Sequence, residues 1–275
     1  MVLIKNTKEH LGGKMFDVNP FAELSQSISP AIMQGFVIAM GACVAGGTLF
    51  DIIHKGSAKY FFSLVKKGAE RRSRDVPFGE KVSVAVSTTA HDVLASGEFC
   101  NVKRRLAHLM TMYGFLVYVI STAVMVFGYP TLATPTPAIL VNLWWIGVVV
   151  LALGCYWFWF FIRVDVAAEG NSPFRMVRAD LFVVALMVSA TLGIIWAYLQ
   201  VTGNFWSTFA LGLYLLSTAV LFGSVPWSKF SHMFFKPAAA YQKNMSMANG
   251  GRRNLPAPSA KPSVYGKAQR HSHNY

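Results

Sequence analysis

The chain has 275 residues, of which 54% are hydrophobic and only 13% charged, and it carries a formal net charge of +13. That balance excludes an ordinary soluble domain, in which about a quarter of the residues are charged. No recognition motif accompanies the positive charge, which argues against nucleic acid as its partner.

In chain order, residues 1–30 read as an extracytoplasmic leader, in which Lys5, Lys8 and Lys14 are offset by Glu9, Asp17 and Glu23. It has no early apolar stretch of the signal-peptide kind, so the first long apolar run is expected to remain as a helix. Five such runs follow, roughly Ala31 to Phe50, Leu106 to Gly128, Ile139 to Ile162, Leu181 to Val201 and Phe205 to Trp227. None alternates as a barrel strand does, and each approaches the roughly 20 residues that a membrane-crossing helix needs. The expected fold is therefore all-α, an integral membrane five-helix bundle over residues 31–237.

The first run is rich in small residues. Gly41 and Ala45 have the spacing that lets helices approach closely, and ordinary bundle packing is their expected use. A loop over residues 53–105 comes next and holds 11 lysines and arginines outside the runs. Within it Val82, Val86, Val93 and Leu94 fall near helical spacing, which predicts an amphipathic helix at the membrane surface. About 50 residues are too few to build an enzyme domain alone. Pro130, Pro135 and Pro137 join the second and third runs, and Thr202-Gly203-Asn204 the fourth and fifth; such tight hairpins make consecutive helices antiparallel neighbours. Trp144, Trp145 and Trp206 are expected at one membrane interface, and Trp157, Trp159 and Trp227 at the other. Residues 238–275 read as a disordered basic tail.

Charge sets the expected orientation. The first loop, the third-to-fourth loop and the tail hold 22 basic residues, against 3 in the leader. The positive-inside rule then puts the N-terminus outside and the C-terminus in the cytoplasm. Basic loops on one face attract anionic lipids or an acidic soluble partner.

Candidate chemistry is sparse. Cys43, Cys100 and Cys155 lack metal-ligand spacing. Of seven histidines, His10, His91, His271 and His273 stand away from the runs. His54, His108 and His232 lie near run ends on the cytoplasmic side, and His54, next to Lys55, reads as interfacial. His108 opens the second run and His232 follows the fifth, so two imidazoles at similar depth can approach one haem iron from opposite sides. No histidine lies in the outer half of any run, which leaves room for one bis-histidine haem at most. The alternative is equally simple: both histidines bond to headgroups or to terminal carbonyls. There is no intramembrane carboxylate pair, nucleophile or phosphate-cradling loop. A small transporter or channel, the function of another class, would show buried charge pairs or paired broken helices, and neither is legible.

The start Arg104-Arg-Leu-Ala-His108 with Gly114-Phe115, and the element Pro226-Trp-Ser-Lys-Phe-Ser-His232, resemble the cytochrome b membrane subunits of respiratory nitrate reductase and heterodisulfide reductase. The resemblance is closer to the membrane subunit of the quinone-interacting oxidoreductase, and covers roughly residues 31–237. Two-haem members carry further histidines at positions that are Tyr118 and Tyr214 here, so the outer haem is expected to be lost. With that loss and no fused iron–sulfur domain, the chain is similar to the membrane anchors associated with dissimilatory adenylylsulfate reductase. The resemblance implies an electron-transfer and anchoring subunit in a bacterial cytoplasmic (inner) membrane. Its implied partners are soluble flavin and iron–sulfur oxidoreductase subunits on the cytoplasmic face, with quinone in the bilayer receiving electrons from sulfite oxidation. It implies His108 and His232 as axial ligands of one haem b. A purely structural anchor without cofactor stays open, and no quinone-site residue is implied.

Overall fold

In hydrocarbon every backbone N–H and C=O must be satisfied within the chain, and an uninterrupted apolar run does this only as a helix. A computed structural model describes residues 16–54, 57–99, 101–163, 176–177, 180–227 and 232–251. Among the described residues the elements are helical, with no strand. In order they are α1 (Pro20–Leu24), α2 (Pro30–His54), α3 (Ser57–Glu70), α4 (Phe78–Ser87), α5 (Val102–Gly128), α6 (Ala138–Trp157), α7 (Leu181–Val201), α8 (Ser207–Gly223) and α9 (His232–Ala248). Wider π-type turns continue α4 over Thr88–Leu94 and α6 over Phe158–Arg163.

Among the described residues four helices are long and apolar enough to cross a membrane, namely α2, α5, α6 with its extension, and α7. The chain is a multi-pass membrane protein. The fifth expected run is helical over 17 residues, as α8, about 25 Å at 1.5 Å per residue. Its ends have local causes. Asn204 Oδ1 accepts from Trp206 N at 3.0 Å before the helix begins, and Pro226, which lacks an N–H, follows where it stops.

Two antiparallel hairpins, α5 with α6 and α7 with α8, make the centre, and α6 also packs on α7. Glycines permit the α5–α6 approach. A Cβ on Gly114 would lie 2.5 Å from Leu151 N, on Gly147 2.7 Å from Tyr118 N, and on Gly154 2.8 Å from Thr111 N. In α6 half of the spanning window is buried, against 11% in α2, so α2 is the peripheral helix. It touches α8, α5 and α3.

The small residues of α2 are not used as the sequence suggested. A Cβ on Gly35, Gly41 or Gly46 would meet nothing within 4 Å; only Gly47 is close-packed, with Val225 at 2.8 Å. Ordinary bundle packing therefore does not explain Gly41.

Three further readings change. The end of the leader is core: Phe21, Ala22 and Leu24 are buried, and Phe21 lies edge-on to Trp144 with ring centroids 6.0 Å apart. Asn19 fixes this segment. Its Oδ1 accepts from Phe21 N at 2.9 Å, while its Nδ2 donates to Tyr129 O at 3.1 Å and Thr136 Oγ1 at 3.0 Å. Trp144 and Trp145 are not interfacial anchors, being 0% and 4% exposed; both sit on the inward face of α6, under the leader. Finally, α9 runs to Ala248, past residue 237 where the tail was expected to become disordered, because it packs on α3, α4 and the turn at Thr88–Leu94. Residues 252–275, with His271 and His273, lie outside the described residues, as do His10 and Cys100.

The surface helix expected around Val82 and Val86 exists as α4, with both valines exposed.

Candidate functional site

A cavity of about 780 Å³ lies between α2 and the faces of α5, α7 and α8. It is there because α2 presents Gly41 and Ala45 where a larger residue would fill space. Among the described residues of its wall none is charged. Phe36, Phe115 and Phe222 supply aromatic surface, and Phe21 closes the wall from the leader side.

Its polar side chains are hydroxyl-bearing, most of them on α5, α7 and α8. Tyr118 of α5 and Tyr214 of α8 are both buried, and their hydroxyls are 2.6 Å apart. Ser189 and Thr218 form a second pair at 2.8 Å, and the Thr218 hydroxyl adjoins the Tyr214 phenol. Trp196 stacks on Tyr214 with centroids 5.4 Å apart and planes 8° from parallel. Trp144 stands 5.5 Å from Tyr118 and donates from Nε1 to Thr122 Oγ1 at 2.9 Å. Thr48 Oγ1, also in the wall, is buried without a hydrogen-bond partner. The two positions marked in the sequence only as missing histidines thus meet across the bundle. Hydroxyls in direct contact leave no gap for a porphyrin between them.

His108 lies elsewhere. It sits half-buried two turns before Phe115 on α5, outside the cavity wall. Asn101 sets the helix start, its Oδ1 accepting from Lys103 N at 2.9 Å and Arg104 N at 3.3 Å. The turn after Leu94 is then fastened to α5 at three levels. Arg105 Nε donates to Ala95 O at 2.7 Å, Ser96 Oγ meets His108 Nδ1 at 3.0 Å, and Tyr113 OH donates to Leu94 O at 2.8 Å. Phe99 packs on the imidazole with centroids 4.9 Å apart. Ser96 is buried at φ +50°, a left-handed conformation that a serine adopts at a cost.

The same turn holds α9. Glu98 is bonded by Lys236 at 3.1 Å and Lys243 at 3.2 Å. Asn244 donates to Thr88 Oγ1 at 2.9 Å and to Asp92 Oδ2 at 2.7 Å. Partial burial pushes both carboxyls up, but their partners win. Hydrogen bonds and charge from Lys236 and Lys243 hold Glu98 below the usual range, and bonds from His91 and Asn244 do so for Asp92, with help from Lys243.

These contacts bring α5 at His108 and α9, from Lys236 to Asn244, to one short segment. His232 is the first residue of α9, and Met233 beside it lines the cavity. The His232 side chain lies outside the described residues. A ring held through Nδ1 is an arrangement that metal-ligating imidazoles also use. His54 is exposed and stacks on Phe50, with ring centroids 4.9 Å apart. Among the described residues no group of three or more His, Cys, Asp and Glu side chains is arranged to hold a metal ion.

Sequence reasoning missed the cavity, Ser96 and the hydroxyl pairs. Only Tyr118 and Tyr214 left a signal, as departures from a family pattern. Compared with protein-family models, with curated proteins and with solved structures, the chain matches none.

Proposed function

We propose that this protein is a membrane anchor and electron-transfer subunit that links a cytoplasmic flavin and iron–sulfur oxidoreductase to quinone in the bilayer. In this reading five helices cross the membrane, α8 among them, with the N-terminus outside and the basic end in the cytoplasm. The observation that carries it is the uncharged cavity of about 780 Å³ within the apolar helices, which reaches Met233 at the start of α9. Its size and lining suit a small apolar ligand with few polar contacts. The basic residues around that end, Lys103, Arg104 and Arg105 among them, supply a surface for an acidic partner. The soluble enzyme is, by resemblance, an adenylylsulfate reductase working in sulfite oxidation, in a bacterial inner membrane.

One haem b in this scheme would be held by His108 and His232 and would supply one-electron transfer. A second reading, an anchor without cofactor, is favoured by one observation, that His108 is not part of the cavity wall. Isolation from native membranes at low salt tests the proposal. The chain should bring down soluble flavin and iron–sulfur subunits, and the complex should reduce an added quinone. A chain that purifies alone sinks the proposal. A haem-sufficient complex without a Soret band leaves the cofactor-free anchor.

A further inference from the structure

A pair of hydroxyl groups in contact has two protons and only one bond between them. In the Tyr118–Tyr214 pair, at 2.6 Å, one proton makes that bond. Among the described residues no backbone carbonyl accepts from either phenol; Tyr214 also bonds the Thr218 hydroxyl, which meets Ser189 at 2.8 Å, so four hydroxyls in a row carry four protons and share three bonds. The phenols are 7% and 5% exposed and both line the cavity. One proton of the row is left over, and leaving it unused in a buried place is costly; with the row donating towards α5 it falls on Tyr118, the end hydroxyl, which lines the cavity and can donate into it.

The pair is also rigid. Trp196 lies flat against Tyr214, and Trp144 stands beside Tyr118 with its own N–H bonded to Thr122. Gly193 leaves room for both rings: a Cβ there would lie 3.0 Å from Tyr118 OH and 3.2 Å from Tyr214 Cε2. Preorganised donors of this kind select an acceptor at a fixed point.

What lies around the donor narrows the ligand. Since no described wall residue is charged, a phosphate or ammonium headgroup would find no counter-charge there. Phe21, Phe36, Phe115 and Phe222 offer flat apolar surface instead. We infer that the Tyr118–Tyr214 pair is the hydrogen-bond donor for a carbonyl oxygen on a neutral, flat ring, whose hydrocarbon tail lies along α2. This rests on the proposed reading of the cavity as a quinone site and assigns the residues that hold the head group. The neutral ester of an acyl lipid shares the carbonyl and the tail but lacks the ring.

The test uses the full chain in phosphatidylcholine discs, with decylubiquinone as probe and quenching of tryptophan fluorescence as readout. Binding should be saturable, and the double variant Tyr118→Phe/Tyr214→Phe should weaken it about 3- to 10-fold, the loss of one neutral hydrogen bond. Both rings stay, so thermal unfolding should barely move. Infrared spectra of the bound quinone in the unaltered protein give a second measurement that needs no variant: one carbonyl band should shift to lower frequency. Methyl decanoate, the ring-free ester, should displace the quinone poorly. If the quinone does not bind saturably, the cavity reading and this inference both fall. If it binds equally to the double variant, or shows no shifted carbonyl, only the tyrosine assignment falls. Displacement by methyl decanoate at equal concentration would make this an acyl-ester site and overturn the ring.

Discussion

At the scale of single residues, a methyl group added to a glycine separates two sides of the bundle. On Gly147 it would strike the backbone of Tyr118 at 2.7 Å, whereas on Gly46 it would meet nothing within 4 Å. Backbone cannot yield as a flexible side chain does. Gly147→Ala should therefore cost about 1–3 kcal/mol, as overpacking does. Gly46→Ala should be neutral or gain a few tenths of a kcal/mol from helix propensity. Thermal unfolding in detergent checks both, and equal melting temperatures would refute the close approach. Ser96 makes a second test, because its hydroxyl is bonded to His108 Nδ1. Ser96→Ala should move the ring-nitrogen NMR signals of His108 while the helical circular dichroism is unchanged. Signals that stay put would mean that the 3.0 Å contact does not hold the ring.

At the scale of elements, α9 is held by polar groups at a partly exposed surface, so its attachment depends on pH. Glu98 and Asp92 both have folded-state values below their ordinary ones. A carboxylate of that kind stabilises fully above its unfolded pKa, about 4.3 for Glu and 3.9 for Asp, and the contribution disappears as pH falls through the lower folded value. The Lys236 side chain is 63% exposed, which limits the contribution of each ion pair to about 0.2–1 kcal/mol. Hydrogen exchange at α9 amides should be protected at neutral pH and lose protection as acid titrates these groups, while α6 stays protected. Glu98→Gln should give part of that loss at pH 7. Unaltered protection in the variant would show that apolar contacts alone hold α9.

At the scale of the whole molecule, charge is unequal between segments, with 22 basic residues in the two loops and the tail proposed to share one side and 3 in the leader. Fusion of a topology reporter after Tyr275 should give activity only in the cytoplasm, and the same reporter in the α7–α8 turn should be active only outside. The reverse pattern would overturn the proposed orientation, and both on one side would remove α8 as a span. Docking through this charge should also weaken with salt, since the screening length falls to about 3 Å at 1 M. A soluble partner that stays bound in 1 M salt is held by apolar surface instead, for which the exposed Phe78, Val82 and Val86 of α4 are the first place to look.

The sequence by itself determined the long apolar helices, because a hydrocarbon layer of fixed thickness admits long apolar runs in one conformation only. It marked Tyr118 and Tyr214 only through the resemblance, as positions where two-haem cytochrome b subunits carry histidines. It could not say which faces meet. In a soluble helix the polar face points outward, but α2, α6 and α7 are apolar all round, so periodicity carries no inward direction. Packing decided that Trp144 lies in the core, that Gly41 faces a cavity and Gly147 a backbone, and that Phe21 of the leader closes the bundle. The order of α9 was hidden for a related reason. Its polar side chains read as a solvated tail until Glu98, Asp92 and Thr88, more than 130 residues earlier in the chain, are placed against them.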